Sequence, residues 1–331
     1  KYRSILLYTI LFLGTIVSVI GLLQYMEIYS FWWIFPGMAS FGFGNPNFYS
    51  TFAIMFAGIA MAGFWLYEEK SDVFHPYTWW KKGIWFIFSI FSFIACLASR
   101  CVVSYVGIIM MFLLMIFLAI VGKKKRYIRI LIMIVSFLFV MFLLNSLSDG
   151  RVYAEFTKTF QEIEQEGSVF GDSVGTNRMK KWKEIVALLP TYWLYGCGIE
   201  HLGYVHLFTY GLGSEFEIVD KAHNEYLDLW VTRGIVVIVF YLIFLFALFI
   251  PGIMQYIKKK CYETDDIKLV LIFPFFGYIA QAFFNISILP VAPIFWLICG
   301  LLVMGKTSEE ECKELFGESE EEAKISIIKE E

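Results

Sequence analysis

Charge is scarce in this sequence, and where it is missing says more than how much there is. Only 17% of the 331 residues are Asp, Glu, Lys or Arg, against 59% hydrophobic ones. So few charges cannot clothe a soluble domain, and apolar runs of about 20 residues mark membrane-spanning helices instead. A basic stripe with base-stacking aromatics is also lacking, and a net charge of −3 carries no nucleic-acid signature, so no nucleic-acid partner is expected. The six cysteines (Cys96, Cys101, Cys197, Cys261, Cys299, Cys312) form no C-x-x-C pair and no metal-ligand spacing. They read as small core residues, and no metal or cofactor is expected. The chain begins at Lys1 rather than Met, and no signal-peptide pattern precedes the first apolar run, so a truncated N-terminus is expected.

What is present is a set of eight apolar segments, near 5–26, 47–67, 83–99, 102–121, 128–145, 227–254, 269–287 and 290–305. The fold class expected is therefore an all-α polytopic membrane protein of about eight spans. The link around Arg100 is short enough to make a tight helical hairpin, and Pro290 splits the last two spans. Lys and Arg orient the set. Lys1 and Arg3, then Lys70, Lys81 and Lys82, then Lys123, Lys124, Lys125, Arg126 and Arg129, then Lys258, Lys259, Lys260 and Lys268 all fall on one side, the cytoplasm. The loop at 27–46 has no Lys or Arg. Four regions follow: spans in 1–145, a large extracytoplasmic loop in 146–223, spans in 224–305, and a cytoplasmic tail at 306–331. That tail is rich in Glu (Glu309 to Glu311, Glu314, Glu318, Glu320 to Glu322) and reads as a solvated acidic segment.

The loop holds most of the polar chemistry. Val152, Phe156, Phe160 and Ile163 make one apolar stripe on a helix lying on the membrane or the bundle. Glu162, Glu164 and Glu166 alternate there as a solvated face rather than a metal cage, and Gly167, Gly171 and Gly175 form a connector. Thr176 and Asn177 are N-cap candidates for a second helix that Pro190 ends, with Met179, Trp182, Val186 and Leu189 as its apolar stripe. Its first turns carry Arg178, Lys180, Lys181 and Lys183. Cations at a helix N-terminus each cost about 0.3–1 kcal/mol. Two readings are open: an anion site, where dipole, free N–H groups and Arg act together, or attraction to anionic lipid headgroups. Glycines of Gly196-Cys197-Gly198 let backbones approach closely. His223, alone of four histidines, sits among polar neighbours at a membrane junction. It reads either as an exposed structural residue or as a proton acceptor near neutral pH. Arg100, at the end of the hairpin, either snorkels to headgroups or holds a phosphate bidentately.

An ordered series of short motifs runs through about residues 40 to 300. It begins with Gly44-Asn45-Pro46-Asn47 and Ser99-Arg100, and continues with Asn177-Arg178, Trp182, Pro190 and Gly196-x-Gly198. His223-Asn224-x-Tyr226-Leu227 before Gly234, Gln281-x-x-Phe284-Asn285 and Trp296 to Gly300 complete it. The series resembles the O-antigen ligase and O-antigen polymerase superfamily of bacterial membrane glycosyltransferases. The resemblance implies a GT-C-like bundle in the bacterial inner membrane, with its active face extracytoplasmic and its C-terminus cytoplasmic. It implies transfer of an oligosaccharide en bloc from a polyprenyl diphosphate to an acceptor hydroxyl in cell-surface polysaccharide synthesis, with no metal. Arg100 and Arg178 would then neutralise the diphosphate, and His223 would orient or deprotonate the acceptor. Asn224, Lys181, Asn47 and Gly198 are the candidates for substrate contacts. Partners implied are the lipid-linked glycan donor, a glycan or lipid-glycan acceptor, membrane lipids and polysaccharide-assembly proteins. Family members usually have more spans than eight, the extra ones N-terminal, so the expectation is that this sequence is a fragment, or a gene model, without that part. Polymerase is slightly preferred over ligase. A transporter or flippase is the reading of another class, opposed by the lack of charge at mid-span.

Overall fold

The computed structural model describes residues 2–28, 35–66, 79–121, 126–175, 177–211, 219–257 and 266–303. The expectations that rest on Lys1, Lys70, Lys123 to Lys125, Thr176, Lys258 to Lys260, Cys261, Cys312 and the acidic tail lie outside the described residues.

All regular structure among the described residues is helical. Backbone groups in hydrocarbon have no water to bond, so each apolar segment closes its own hydrogen bonds as a helix. The bundle is built around α2 (Pro46–Leu66), in which every residue from Tyr49 to Leu66 is buried. Pro46 suits the first helical position, where no N–H is needed. Against α2 pack α3 (Trp79–Ala98) and α11 (Asp266–Gln281), with α1 (Tyr2–Tyr25) and α4 (Val102–Val121) beside them. The approach depends on missing side chains. A Cβ at Gly58 would stand 2.4 Å from the backbone nitrogen of Pro274, and one at Gly63 would stand 2.0 Å from the Trp85 ring. Small residues at such crossings let dispersion and hydrogen bonding hold helices together where burial from water supplies little.

Two further helices complete the bundle, α10 (Ile235–Ile257) and α12 (Ala292–Val303), while α5 (Tyr127–Leu147) packs on α3. Phe12, Leu138, Phe142 and Phe240 point outward and exposed, as side chains toward hydrocarbon do. Five helices are long and apolar enough to cross a membrane: Leu6–Tyr25, Pro46–Leu66, Val102–Val121, Tyr127–Leu147 and Ile235–Met254. Lys82–Ala98, Lys268–Phe284 and Ala292–Val303 are apolar but shorter. The eight apolar segments expected from sequence thus reappear as helices, but among the described residues only five reach spanning length.

The segment expected at 227–254 divides at Gly234, whose φ of 85° ends α9 (Glu225–Arg233) before α10 begins. α9 keeps Asp228 and Arg233 out of the apolar run that follows it. The segment at 269–287 ends its α-helix at Gln281 and closes with a 3-10 turn to Phe284, after which Asn285 is extended.

The polar loop forms α6 (Arg151–Glu166), α7 (Arg178–Tyr192) and α8 (Leu202–Tyr210). Its expected stripes are buried only in part. On α6, Val152 is buried and the Phe156 ring stacks on Tyr105 at 4.7 Å, but Phe160 is 70% exposed. On α7 the residues turned into a small second core are Ile185, Leu188 and Leu189, which meet Leu202, Val219, Ala222 and Val231. Pro190 does not end α7, which runs two residues further. A proline so near the C-terminus removes one hydrogen bond, to the carbonyl of Val186, whose residue is exposed.

Gly58→Ala should destabilise the bundle by about 1–3 kcal/mol, because α11 must shift to admit the methyl group. Gly83→Ala, whose Cβ meets nothing within 4 Å, should not. Thermal unfolding of the two variants in detergent compares them directly.

Candidate active site

The site is assembled from three left-handed corners. Arg100, Asn177 and His223 have φ of 54°, 62° and 48°. Such conformations cost a non-glycine residue about 1–3 kcal/mol each, and they concentrate where a side chain must be held in one place.

The first corner joins α3 to α4. The Ser99 hydroxyl donates to the carbonyl of Cys96 at 2.7 Å and accepts the Cys101 N–H at 3.3 Å, which tightens the turn around Arg100. Nη2 of Arg100 donates to Oε1 of Glu155 on α6. Nε of Arg100 is buried and has no partner among the described residues. α6 is itself anchored, since Nη1 of Arg151 meets Oε1 of Glu27 at 2.8 Å and the carbonyl of Tyr25 at 3.1 Å.

The second corner begins α7. Asn177 holds the N-cap position, yet its side chain makes no capping bond, so the expected cap is one of position and not of chemistry. Arg178 follows, half-buried. Burial lowers its pKa, because a desolvated guanidinium holds its proton less firmly. It makes no ion pair or hydrogen bond among the described residues. Cys101 locates it: burial pushes that thiol up to about 11, while Ser99, Arg178 and Ser50 draw it down and Glu155 draws it up. Arg100 and Arg178 therefore border the same thiol, beside Glu155 and the first turn of α2. Lys181 is half-buried one turn further along α7.

The third corner carries His223. Nε1 of Trp182 donates to the carbonyl of Ala222 at 2.9 Å, and the Ala222 N–H donates to Oδ1 of Asp228 at 3.0 Å. Trp182 lies four residues after Arg178, on the same side of α7, so this bond brings half-buried His223 to the Arg178 end of that helix. Asn224 accepts the N–H groups of Tyr226 and Leu227, both at 3.1 Å, and caps α9. Its Oδ1 is thereby occupied, and what remains for a ligand is its amide nitrogen.

Gly198 and Asn47 sit differently from the expectation that they contact substrate. Gly198 donates its N–H to the carbonyl of Thr232 at 2.9 Å, and Cys197 donates to that of Val231 at 2.8 Å. A Cβ at Gly196 would lie 2.3 Å from the carbonyl carbon of Thr232. The two glycines dock the turn against the end of α9, which leaves the Gly198 amide no free donor. The carbonyl of Asn47 accepts from Ser50 at 2.7 Å, Thr51 at 3.0 Å and Asn285 at 3.1 Å, tying the start of α2 to the end of α11. Glu162 and Glu166 accept the N–H groups of Gly175 and Ser173 and so fasten the connector.

From this end a cavity of about 640 Å³ runs into the bundle. Trp182, Asn224, Tyr226 and Trp230 line its mouth, and Leu242, Phe246, Phe249 and Phe276 line its depth. Among the described residues Asn224 is its only amide side chain, and none that lines it is charged.

Sequence reasoning missed several members. Glu155 and Arg151 belong to no motif in the sequence. Glu225 is buried, and its carboxylate accepts from Tyr241 at 2.6 Å and Tyr278 at 2.9 Å. His206, passed over in favour of His223, is buried with Nε2 at 2.9 Å from Oε2 of Glu184. Each partner lies 16 or more residues away along the chain, so no local pattern announces it.

Burial raises the pKa of Glu225 above its ordinary 4.5, the hydroxyls of Tyr241 and Tyr278 opposing. A carboxyl raised on folding stabilises below its unfolded pKa and loses that contribution as pH rises through the folded one. Glu225→Gln should therefore melt no lower than wild type at pH 7.5, with any advantage closing below about pH 4. Thermal midpoints across that range give the sign.

Residues 86–242 match the family described as O-Antigen ligase. No curated protein and no solved structure matches the chain. The matched stretch contains Arg100, Glu155, Arg178, Gly198, His223 and Asn224, with the hairpin, the whole polar loop and the start of α10. The match covers 157 of the 331 residues, and over that stretch the chain is similar to the O-antigen ligase family.

Proposed function

We propose that this chain is a metal-independent glycosyltransferase that moves an oligosaccharide from a polyprenyl diphosphate to an acceptor hydroxyl. The observation that carries the reading is Arg178: a half-buried cation with no counter-ion among the described residues, beside Arg100, at the end of an apolar groove. A buried, unpaired charge is costly and is kept where a ligand completes it. The paired cations fit a diphosphate, and the groove fits the isoprenoid that carries it.

In this reading the prenyl chain lies along α10 and α11, and the diphosphate faces Arg100 and Arg178. The acceptor oxygen attacks the anomeric carbon as the bond to the diphosphate oxygen breaks. Its proton passes to His223, and the electron pair stays on the diphosphate, whose growing charge the arginines hold. Lys181 adds positive potential, and the Asn224 amide contacts the sugar. The three shorter apolar helices complete eight spans, with the polar loop and active face extracytoplasmic and the tail cytoplasmic in a bacterial inner membrane. The product is a cell-surface polysaccharide. We take chain extension as the reaction, with ligation to a lipid core or protein as the alternative outcome.

In proteoliposomes supplied with a polyprenyl-diphosphate-linked oligosaccharide, wild type should yield a ladder of repeats resolved by size. Arg178→Ala and His223→Ala should each lower turnover by about 100-fold or more with membrane insertion intact. A single product that needs an added acceptor would identify a ligase. Wild-type turnover in both variants would remove the catalytic assignment.

A further inference from the structure

One contact in the site works against anion binding. Arg100 is not free: Glu155 holds its Nη2, and the two side chains are only 21% and 15% exposed. A carboxylate and a phosphate pair with guanidinium in the same way. We propose that Glu155 is a built-in competitor that occupies Arg100 in the place of a phosphate oxygen and sets how tightly the lipid diphosphate is held. This rests on the diphosphate reading of Arg100 and Arg178.

The geometry supports competition over simple support. Glu155 engages one nitrogen of the fork, while the buried Nε stays without a partner among the described residues, so Arg100 is held but not saturated. α6 cannot easily carry the carboxylate away, because Phe156 stacks on Tyr105 and Arg151 is tied to Glu27 and Tyr25. Glu155 therefore stays near when an anion arrives. Cys101 senses Glu155 and Arg178 together, so the carboxylate lies within electrostatic reach of the diphosphate position.

The arrangement has a use at each end of the reaction. Without substrate, Glu155 spares Arg100 the cost of a partly buried, unpaired charge. After transfer, the released prenyl diphosphate ends in a free phosphate that carries more negative charge than the esterified donor. A fixed carboxylate repels that product more than the donor and so favours its release.

The test is equilibrium binding of geranylgeranyl diphosphate to the purified protein in nanodiscs. Glu155→Gln keeps an acceptor oxygen for Arg100 and removes only the charge, so it should tighten binding about tenfold. In an Arg100→Ala background the same substitution should tighten binding by much less, because only the direct repulsion between carboxylate and diphosphate is left to remove. Glu155→Asp, which draws the carboxylate back by one methylene, should tighten binding by less and serves if the Gln variant folds poorly. Unchanged or weaker binding by both variants, with wild type binding and Arg178→Ala impaired, overturns the competitor role and leaves the diphosphate reading standing. Failure of wild type to bind at all overturns the diphosphate reading, and this inference with it.

Discussion

The close crossing of α2 and α11 decides where everything at the site can be. Gly58 admits the backbone at Pro274, and higher up Gln281 and Asn285 donate to Thr51, with Asn285 also reaching the Asn47 carbonyl. In a bilayer such polar contacts are scarce, and each fixes register where apolar packing alone permits sliding. With α11 fixed, Tyr278 can reach Glu225, and the carbonyl of Ile279 can accept the Tyr226 hydroxyl at 2.7 Å. Those two bonds hold the start of α9, and His223 and Asn224 are the residues just before it. A contact near the middle of α2 thus bears on the position of an imidazole in the polar loop.

Electrostatics around the arginines follow from what each corner leaves unpaired. Arg151 answers Glu27, and Arg100 answers Glu155. Arg178 has no such answer among the described residues, though it is half-buried. This one cation in excess acts on the Cys101 thiol through space, and in the proposed reading its field is what an anion would answer. The helix dipole of α7 adds to it, since Arg178 stands where free N–H groups point outward. The unfavourable placement of cations at that helix start becomes intelligible as part of the same field.

The bundle was legible in the sequence because composition alone makes these helices. The eight apolar segments, the hairpin at Arg100 and the helical loop all emerge from hydrophobic runs and their breaks. The sixth segment misled because Gly234 interrupts a run that remains apolar on both sides, and α9 looked like its first turns. Pro190 misled because a proline near the end of a helix costs one bond and does not stop it. At the site, Arg100, Asn177 and His223 stand at left-handed corners that sequence could not reveal, since none of them is glycine. Glu155 and Glu225 escaped for another reason. Their partners, Arg100, Tyr241 and Tyr278, come from other helices, and a carboxylate in an amphipathic stretch looks solvated until the fold closes over it.

The separation of groove and cations matters for how the proposed reaction gains its rate. Lining the cavity with Leu242, Phe246, Phe249 and Phe276 yields affinity of about 0.8 kcal/mol for each buried methylene. That affinity is the same for donor, transition state and product, because the prenyl chain does not change. Uniform binding of this kind concentrates the lipid in the site and leaves the chemical barrier untouched. Only groups that meet changing charge lower the barrier, and in the proposed reaction these lie outside the lining of the groove: two arginines where negative charge would grow, and an imidazole where a proton would leave. Keeping charge out of the groove and lipid contacts away from the arginines lets affinity for the carrier and stabilisation of the leaving group vary independently. In the proposed arrangement Glu155, paired with Arg100 and not among the residues that line the groove, acts on charge alone.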